Sequence, residues 1–330
     1  MTVKYNVINP GPPVLSTTTD VSPDGPVDVP VDVAAVAAPV APAAPGMLRA
    51  ALGVLAFSFS LPMTKIAVRG LDPVVASMGR AAVASVLAAI ALIVTKARRP
   101  SANQVRRLVF VVGGVIVGFP LLTAYALHHT DSSHGSVVNG LLPLATAGLA
   151  VIRAGERPSR RYWICSFVGF GTVVGFVIEG GTGVHLADAL LVGAVLAAAV
   201  GYTEGALLAR EMGGWQVICW ALVLSAPLVW TLTAVVGAHT GLHASPGQWS
   251  AFAYTAVFSM FLGFFAWYSG LARAGIARAG QLQLAQPVLS ILWGWPLLGE
   301  ALTVPAVFAV VVVLGAVAFG RRSVVTTRST

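Results

Sequence analysis

Charge is what this sequence has least of. Lys and Arg number 20 and Asp and Glu 12 in 330 residues, so charged residues form 10% of the chain and hydrophobic ones 57%. A soluble globule of this length needs far more polar surface, and the mean hydropathy of +0.84 excludes water as the main solvent. Cysteine is almost missing. Cys165 and Cys219 both fall in apolar segments, which excludes a disulfide framework and reads as two buried free thiols. The apolar segments contain no HExxH metal pair, no Cys/His zinc spacing and no Asp-rich prenyl-diphosphate motif. Intramembrane enzyme chemistry therefore finds no residues to work with, and neither a metal nor a cofactor is expected. The net charge of +8 sits in short tracts between apolar runs, which points to membrane topology and away from nucleic acid as a partner.

What is present is apolar sequence in lengths that cross a bilayer, about 20 residues each. The cleanest runs are Leu108–Thr130, Ser132–Ile152, Tyr162–Ile178, Ala279–Gly299 and Ala301–Gly320, and Met212–Ala272 holds two more. The pattern predicts ten spans at about 48–68, 73–95, 107–128, 134–153, 161–178, 187–209, 214–237, 249–272, 277–298 and 302–320. Short loops such as Ala97–Pro100 and Glu179–Gly183 suit antiparallel neighbours. Residues 1–46 hold nine prolines and four aspartates in a Val/Ala/Thr background, with no compact apolar core segment. This reads as a disordered tail and not as a secretory signal peptide.

Alternate loops separate by charge. One set holds Lys96, Arg98, Arg99, Arg106 and Arg107, then Arg153 to Arg161, Arg210, Arg273 and Arg278, and a basic tail at 321–330; the other set has Arg69 alone as its base. Because cytoplasmic loops retain Lys and Arg, both termini are expected in the cytoplasm, in a multi-pass protein of the cytoplasmic membrane.

The chain also repeats itself. Leu142-Pro143 leads to Glu156 and Gln286-Pro287 leads to Glu300, each glutamate thirteen residues after its proline, and one offset of 144 relates both pairs. The same offset carries Leu127 onto Leu271, Asn139 onto Gln283 and Gly171 onto Gly315. Five helices per half is an odd number, so the second copy must be inserted upside down. The domains expected are a first five-helix repeat at 47–180 and a second at 181–320. Inverted repeats let two halves exchange conformations about a central cavity, which is a transporter device.

These residues resemble the drug/metabolite transporter superfamily, in particular its EamA-type domain, which occurs twice in ten-helix members. The likeness covers about residues 48–320. It rests on Ala126-Leu127, Leu142-Pro143 and Gly155-Glu156-Arg157-Pro158-Ser159, and on Gly270-Leu271-Ala272-Arg273, Gln286-Pro287 and Gly299-Glu300-Ala301-Leu302-Thr303. The resemblance implies an all-α membrane fold and secondary transport of small metabolites, often export of amino acids or related compounds, through a cavity between the halves. The segment Gly213 to Ala226 departs from the pattern in being more polar and aromatic.

Ionisable groups inside spans are costly and mark candidate sites. Lys65 near the outer end of the first span either snorkels or faces the cavity, and Arg80, deeper in the second, either reaches the cavity or pairs between helices. Together they could draw in a substrate carboxylate or phosphate; the structural alternative pairs them with Asp72 or backbone carbonyls. Glu204 and Tyr202 stand beside Gly201 and Gly205, a small-residue face for close helix contact. Burial beside that contact makes Glu204 a candidate for carrying a coupling proton, against a salt bridge on the Arg210 side. Asn139, Gln283 and Gln286 lie near Pro143 and Pro287, which are expected to act as hinges, and their amides either satisfy freed carbonyls or face the cavity. Of the adjacent pair Trp267 and Tyr268, at most one faces the cavity. Glu156 and Glu300 read as structural, opening helices five and ten where the dipole favours a carboxylate. The expected partners are a small-molecule substrate and membrane lipid. Efflux of amphipathic drugs, or a receptor without transport, are the alternatives.

Overall fold

The computed structural model describes residues 43–164 and 186–300, with 167, 168, 171, 175, 308, 311, 312 and 325–327 besides. Most of the tail, most of the spans expected at 161–178 and 302–320, the Glu179–Gly183 loop, Cys165 and the Gly315 member of the repeat lie outside the described residues.

The chain is a multi-pass α-helical membrane protein. Among the described residues seven helices are long and apolar enough to cross a membrane, from Pro45–Ala67 to Pro246–Ala274. The first span is broken into α1 (Ala43–Ser58) and α2 (Ser60–Ala67), and α3 (Pro73–Val94) returns. The third is α4 (Ala102–Val111), a π-helical stretch Val112–Gly118 and α5 (Phe119–His129); the fourth is α6 (Ser132–Asn139) and α7 (Leu142–Ala154). After the short strand β1 (Glu156–Pro158) come α8 (Leu186–Met212) and α9 (Gly214–Thr240). Next is α10 (Pro246–Tyr254), a second π-helical stretch Thr255–Leu262 and α11 (Gly263–Ala274). The ninth expected span is built in pieces: α12 (Ile276–Gly280), a 3₁₀ turn Gln281–Leu284 and α13 (Ala285–Leu298). Strand β2 (Val325–Thr327) pairs antiparallel with β1, Glu156 opposite Thr327. The all-α expectation misses this ribbon, which ties the C-terminal tail to the loop after the fourth span.

Local chemistry sets the ends. Asp72 accepts from the Val74 amide at 2.7 Å and Pro73 opens α3, where its missing N–H costs nothing. Ser101 and Gln104 form a capping box at the start of α4, and Ser245 and Gln248 form another at the start of α10. These boxes start the third and eighth spans at residues 102 and 246, earlier than the 107 and 249 that hydrophobicity alone suggests. Gly155 and Gly299 end α7 and α13 in the left-handed conformation, at φ of 64° and 68°. The first helix also begins inside the expected tail, at Ala43.

Small residues let the spans approach closely, the usual means of association where hydrocarbon removes the hydrophobic drive. A Cβ on Gly201 of α8 would lie 2.7 Å from Val115 Cγ1 and 3.0 Å from the Val115 amide nitrogen in the first π-helical stretch. The small-residue face expected around Gly201 is therefore real, and it grips the third span. Gly201→Val is expected to force these helices apart at a cost of about 1–3 kcal/mol, read as a lowered midpoint of thermal unfolding in detergent. Elsewhere Leu48, Leu52, Leu55, Ile90, Ile93, Val94 and Leu196 turn outward at 45–75% exposure. In water such a surface would aggregate; in a bilayer it is the lipid-facing wall.

Candidate functional site

Helix irregularity in a span occurs where something replaces the lost backbone bonds. Here it recurs in register. The π-helical stretches Val112–Gly118 and Thr255–Leu262, and the break after Asn139 and the 3₁₀ turn Gln281–Leu284, lie about 144 residues apart. Pro143 and Pro287 fall in the opening turns of α7 and α13, just after those interruptions. They therefore start new helical segments and do not kink continuous helices, because proline in a first turn loses no hydrogen bond.

The two glutamates of the repeat act on each other's halves. Glu156 is 1% exposed and accepts from the amides of Ile276 at 2.8 Å and Ala277 at 2.7 Å, capping α12. Arg210 pairs with it at 3.3 Å. Glu300 accepts from the amides of Ser132 and Ser133, each at 3.1 Å, and from the Ser132 hydroxyl, capping α6. Every member of one cap stands 144 residues from its counterpart in the other: Glu156 and Glu300, Ser132 and Ile276, Ser133 and Ala277. The expectation that Glu156 opens its own helix is corrected. It lies in β1, and the helix after it begins at residue 160. Its carboxylate instead meets the positive end of a helix from the other half.

Glu204 is 4% exposed on α8 and sits between two arginines. Arg107 Nε reaches it at 3.2 Å and Arg153 Nε at 2.7 Å. Arg107 also bonds Glu211, which takes the Gln104 amide at 3.1 Å. Arg210, the partner expected from sequence, is committed to Glu156. A pocket of about 310 Å³ lined by Phe110, Leu149, Arg153, Val200, Thr203 and Glu204 adjoins the cluster. A second, of about 460 Å³, is bounded by Arg98, Arg99, Gln104 and Glu211.

Lys65 takes the structural alternative, pairing with backbone carbonyls. Its ammonium donates to the carbonyls of Leu127 at 3.0 Å and Thr130 at 2.7 Å, closing the C-terminal end of α5, with Asp131 at 3.9 Å. Arg80 is 5% exposed and donates one long bond, 3.5 Å, to Thr64 Oγ1. Tyr202 lies within its electrostatic reach and packs with Phe57, Phe264 and Trp267 at ring-centre distances of 6.5, 6.0 and 5.4 Å. Trp267 and Tyr268 are both fully buried; Tyr268 donates to the Gly201 carbonyl at 3.0 Å. Tyr162 is buried and donates to the Pro143 carbonyl at 3.1 Å.

Several buried polar atoms have no hydrogen-bond partner among the described residues: Arg80 Nε, Asn139 Oδ1, both amide atoms of Gln283, Gln286 Oε1 and Trp267 Nε1. Buried polar groups are nearly always paired, so these side chains are available to something other than the fold. The described residues hold no group of three or more His, Cys, Asp and Glu able to bind a metal.

Comparison with known proteins agrees with the geometry. The model of the EamA-like transporter family matches residues 44–178 and again 185–320. The uncharacterized transporter YdeK of Bacillus subtilis (strain 168) is 43% identical over 286 residues, 84% of this chain and 97% of that protein. The uncharacterized transporter YyaM of the same organism is 22% identical over 77% of this chain and 86% of its own. A solved crystal structure, 17% identical, superposes with a TM-score of 0.66 over 83% of this chain and 95% of that one, a likeness of fold. Two matches of one family model, and a relative that similar along nearly its whole length, make this chain a membrane transporter, not an enzyme, of the EamA-like transporter family in the drug/metabolite transporter superfamily.

Proposed function

We propose that the chain is a secondary transporter of the cytoplasmic membrane, with ten spans in two inverted halves at 47–180 and 181–320 and both termini in the cytoplasm. It exports an amino acid or related compound by alternating access. The observation that carries this reading is the reciprocal pair of carboxylate caps. Glu156 lies among arginines on the side that retained positive charge, and Glu300 lies in a loop free of Lys and Arg. Inversion therefore puts one cap at each face of the membrane. Each cap holds one half to the other, so opening towards the cytoplasm releases Glu156 from α12 and opening outward releases Glu300 from α6. The shared 144-residue register of capping boxes, π-helical stretches and left-handed glycines supports a duplicated fold. The Glu204 cluster and its pockets fit a cytoplasmic vestibule.

The test is flux. Purified protein in liposomes, loaded with a panel of amino acids and small carboxylic acids, is expected to release at least one of them faster than empty liposomes do, and to saturate. Inactivity across the panel, with and without a pH gradient, would remove the transport reading of this chain.

A further inference from the structure

Four charged side chains are buried among the described residues, Arg80, Glu156, Asp188 and Glu204, and all but Arg80 have a charged or histidine partner. Lys65 is occupied by carbonyls. Arg80 has no carboxylate within ion-pair distance among the described residues, one hydrogen bond at the outer limit of length, and an unpartnered Nε. A buried cation without its counter-ion is expensive, and a guanidinium is shaped to take a carboxylate through two parallel bonds. Tyr202 lies within its electrostatic reach, the Tyr202 ring belongs with Phe57, Phe264 and Trp267 to one aromatic group, and Trp267 contributes a second unpartnered buried donor, Nε1.

We infer that Arg80 binds the carboxylate of the transported solute, and that the solute is a monocarboxylate with an apolar, preferably aromatic, body lying on Phe57, Tyr202, Phe264 and Trp267. The inference rests on the transport reading and narrows it. One guanidinium neutralises one negative charge, so a dicarboxylate or a phosphate dianion would leave charge uncompensated in low dielectric. A cationic amine would meet Arg80 with no buried carboxylate free among the described residues to hold it, since Glu156, Glu204 and Asp188 are engaged and Glu300 caps α6. Export of cationic drugs is disfavoured for the same reason.

The experiment measures thermal stabilisation of the purified full-length protein by phenylacetate, phenylacetamide, phenethylamine, succinate and inorganic phosphate, with liposome flux of labelled phenylacetate measured in parallel. Phenylacetate is expected to raise the unfolding midpoint saturably, with at least tenfold weaker effects from the amide, the amine, succinate and phosphate. In Arg80→Gln the preference for the acid over its amide is expected to vanish, while Arg80→Lys keeps it with weaker binding. Equal stabilisation by amide or amine, better binding of succinate or phosphate, or no stabilisation by phenylacetate would overturn the inference in the wild-type protein alone, whether or not the variants fold. Binding with the predicted preference but no flux would leave Arg80 as a carboxylate site and count against transport instead.

Discussion

Glu156→Ala is expected to lower the unfolding free energy by about 3 kcal/mol, the low end for removing one member of a buried charge pair because Arg210 is partly exposed and screened by solvent. The carboxylate is almost wholly buried and serves three donors: the amides of Ile276 and Ala277 and the Arg210 guanidinium. Alanine leaves the two buried amides without an acceptor, while Arg210, 37% exposed, can turn to water. Glu156→Gln keeps an acceptor oxygen for one amide and is expected to recover part of the loss. The counterpart Glu300→Ala should cost less, about 1–2 kcal/mol, the range of a lost N-cap. Glu300 is only partly buried, and among the described residues its partners are the Ser132 and Ser133 amides and the Ser132 hydroxyl, with no arginine. Equilibrium unfolding of the three variants in detergent checks the order Glu156→Ala, then Glu156→Gln and Glu300→Ala. Equal small losses for all would mean that the caps do not join the halves.

Glu204→Ala is expected to cost about 3 kcal/mol, at the low end for a broken buried pair because Arg153 is 53% exposed and solvent screens part of its charge. The residue joins α4, α7 and α8 through Arg107 and Arg153. Removing it leaves two guanidinium groups facing each other across the emptied position. If the cost is that of unpaired charge, replacing Arg107 and Glu204 together with methionine should restore much of it. Wild-type-like stability of Glu204→Ala would show that the cluster contributes nothing. The same residue was a sequence candidate for carrying a coupling proton. Held between two arginines it is better suited to fastening three spans, so flux in Glu204→Gln is expected to keep the wild-type dependence on a pH gradient. Lost dependence would restore the coupling role.

The contrast between these residues shows what the sequence could reveal. That the chain crosses the membrane several times, and where most of the described spans lie, is visible in it because hydrocarbon demands about 20 apolar residues whatever the packing. The 144-residue register is visible because both prolines and both glutamates survive in it. The earlier starts of α4 and α10 were also readable: Ser101-Ala-Asn-Gln104 and Ser245-Pro-Gly-Gln248 both have the capping-box spacing. Read that way, Arg107 falls more than one turn inside a helix and becomes a candidate partner for Glu204. The reciprocal caps were not readable, since nothing local to Glu156 says that its carboxylate lies against amides 120 and 121 residues away. Burial of both Trp267 and Tyr268 was also hidden, because adjacent helical positions 100° apart can both be covered only when a span is surrounded by others. Arg80 was legible as an intramembrane charge, but its lack of a counter-ion is a property of the folded neighbourhood.

Inversion of the two halves is most directly tested by labelling equivalent exposed positions from each side. Asn103 and Gly247 lie 144 residues apart within the two capping boxes and are both exposed. In a background where Cys165 and Cys219 are replaced by serine, Gly247→Cys should react with a membrane-impermeant maleimide in intact cells, and Asn103→Cys only after permeabilisation. Labelling of both from the same side would contradict two inverted halves, and with them the placing of one cap at each face of the membrane.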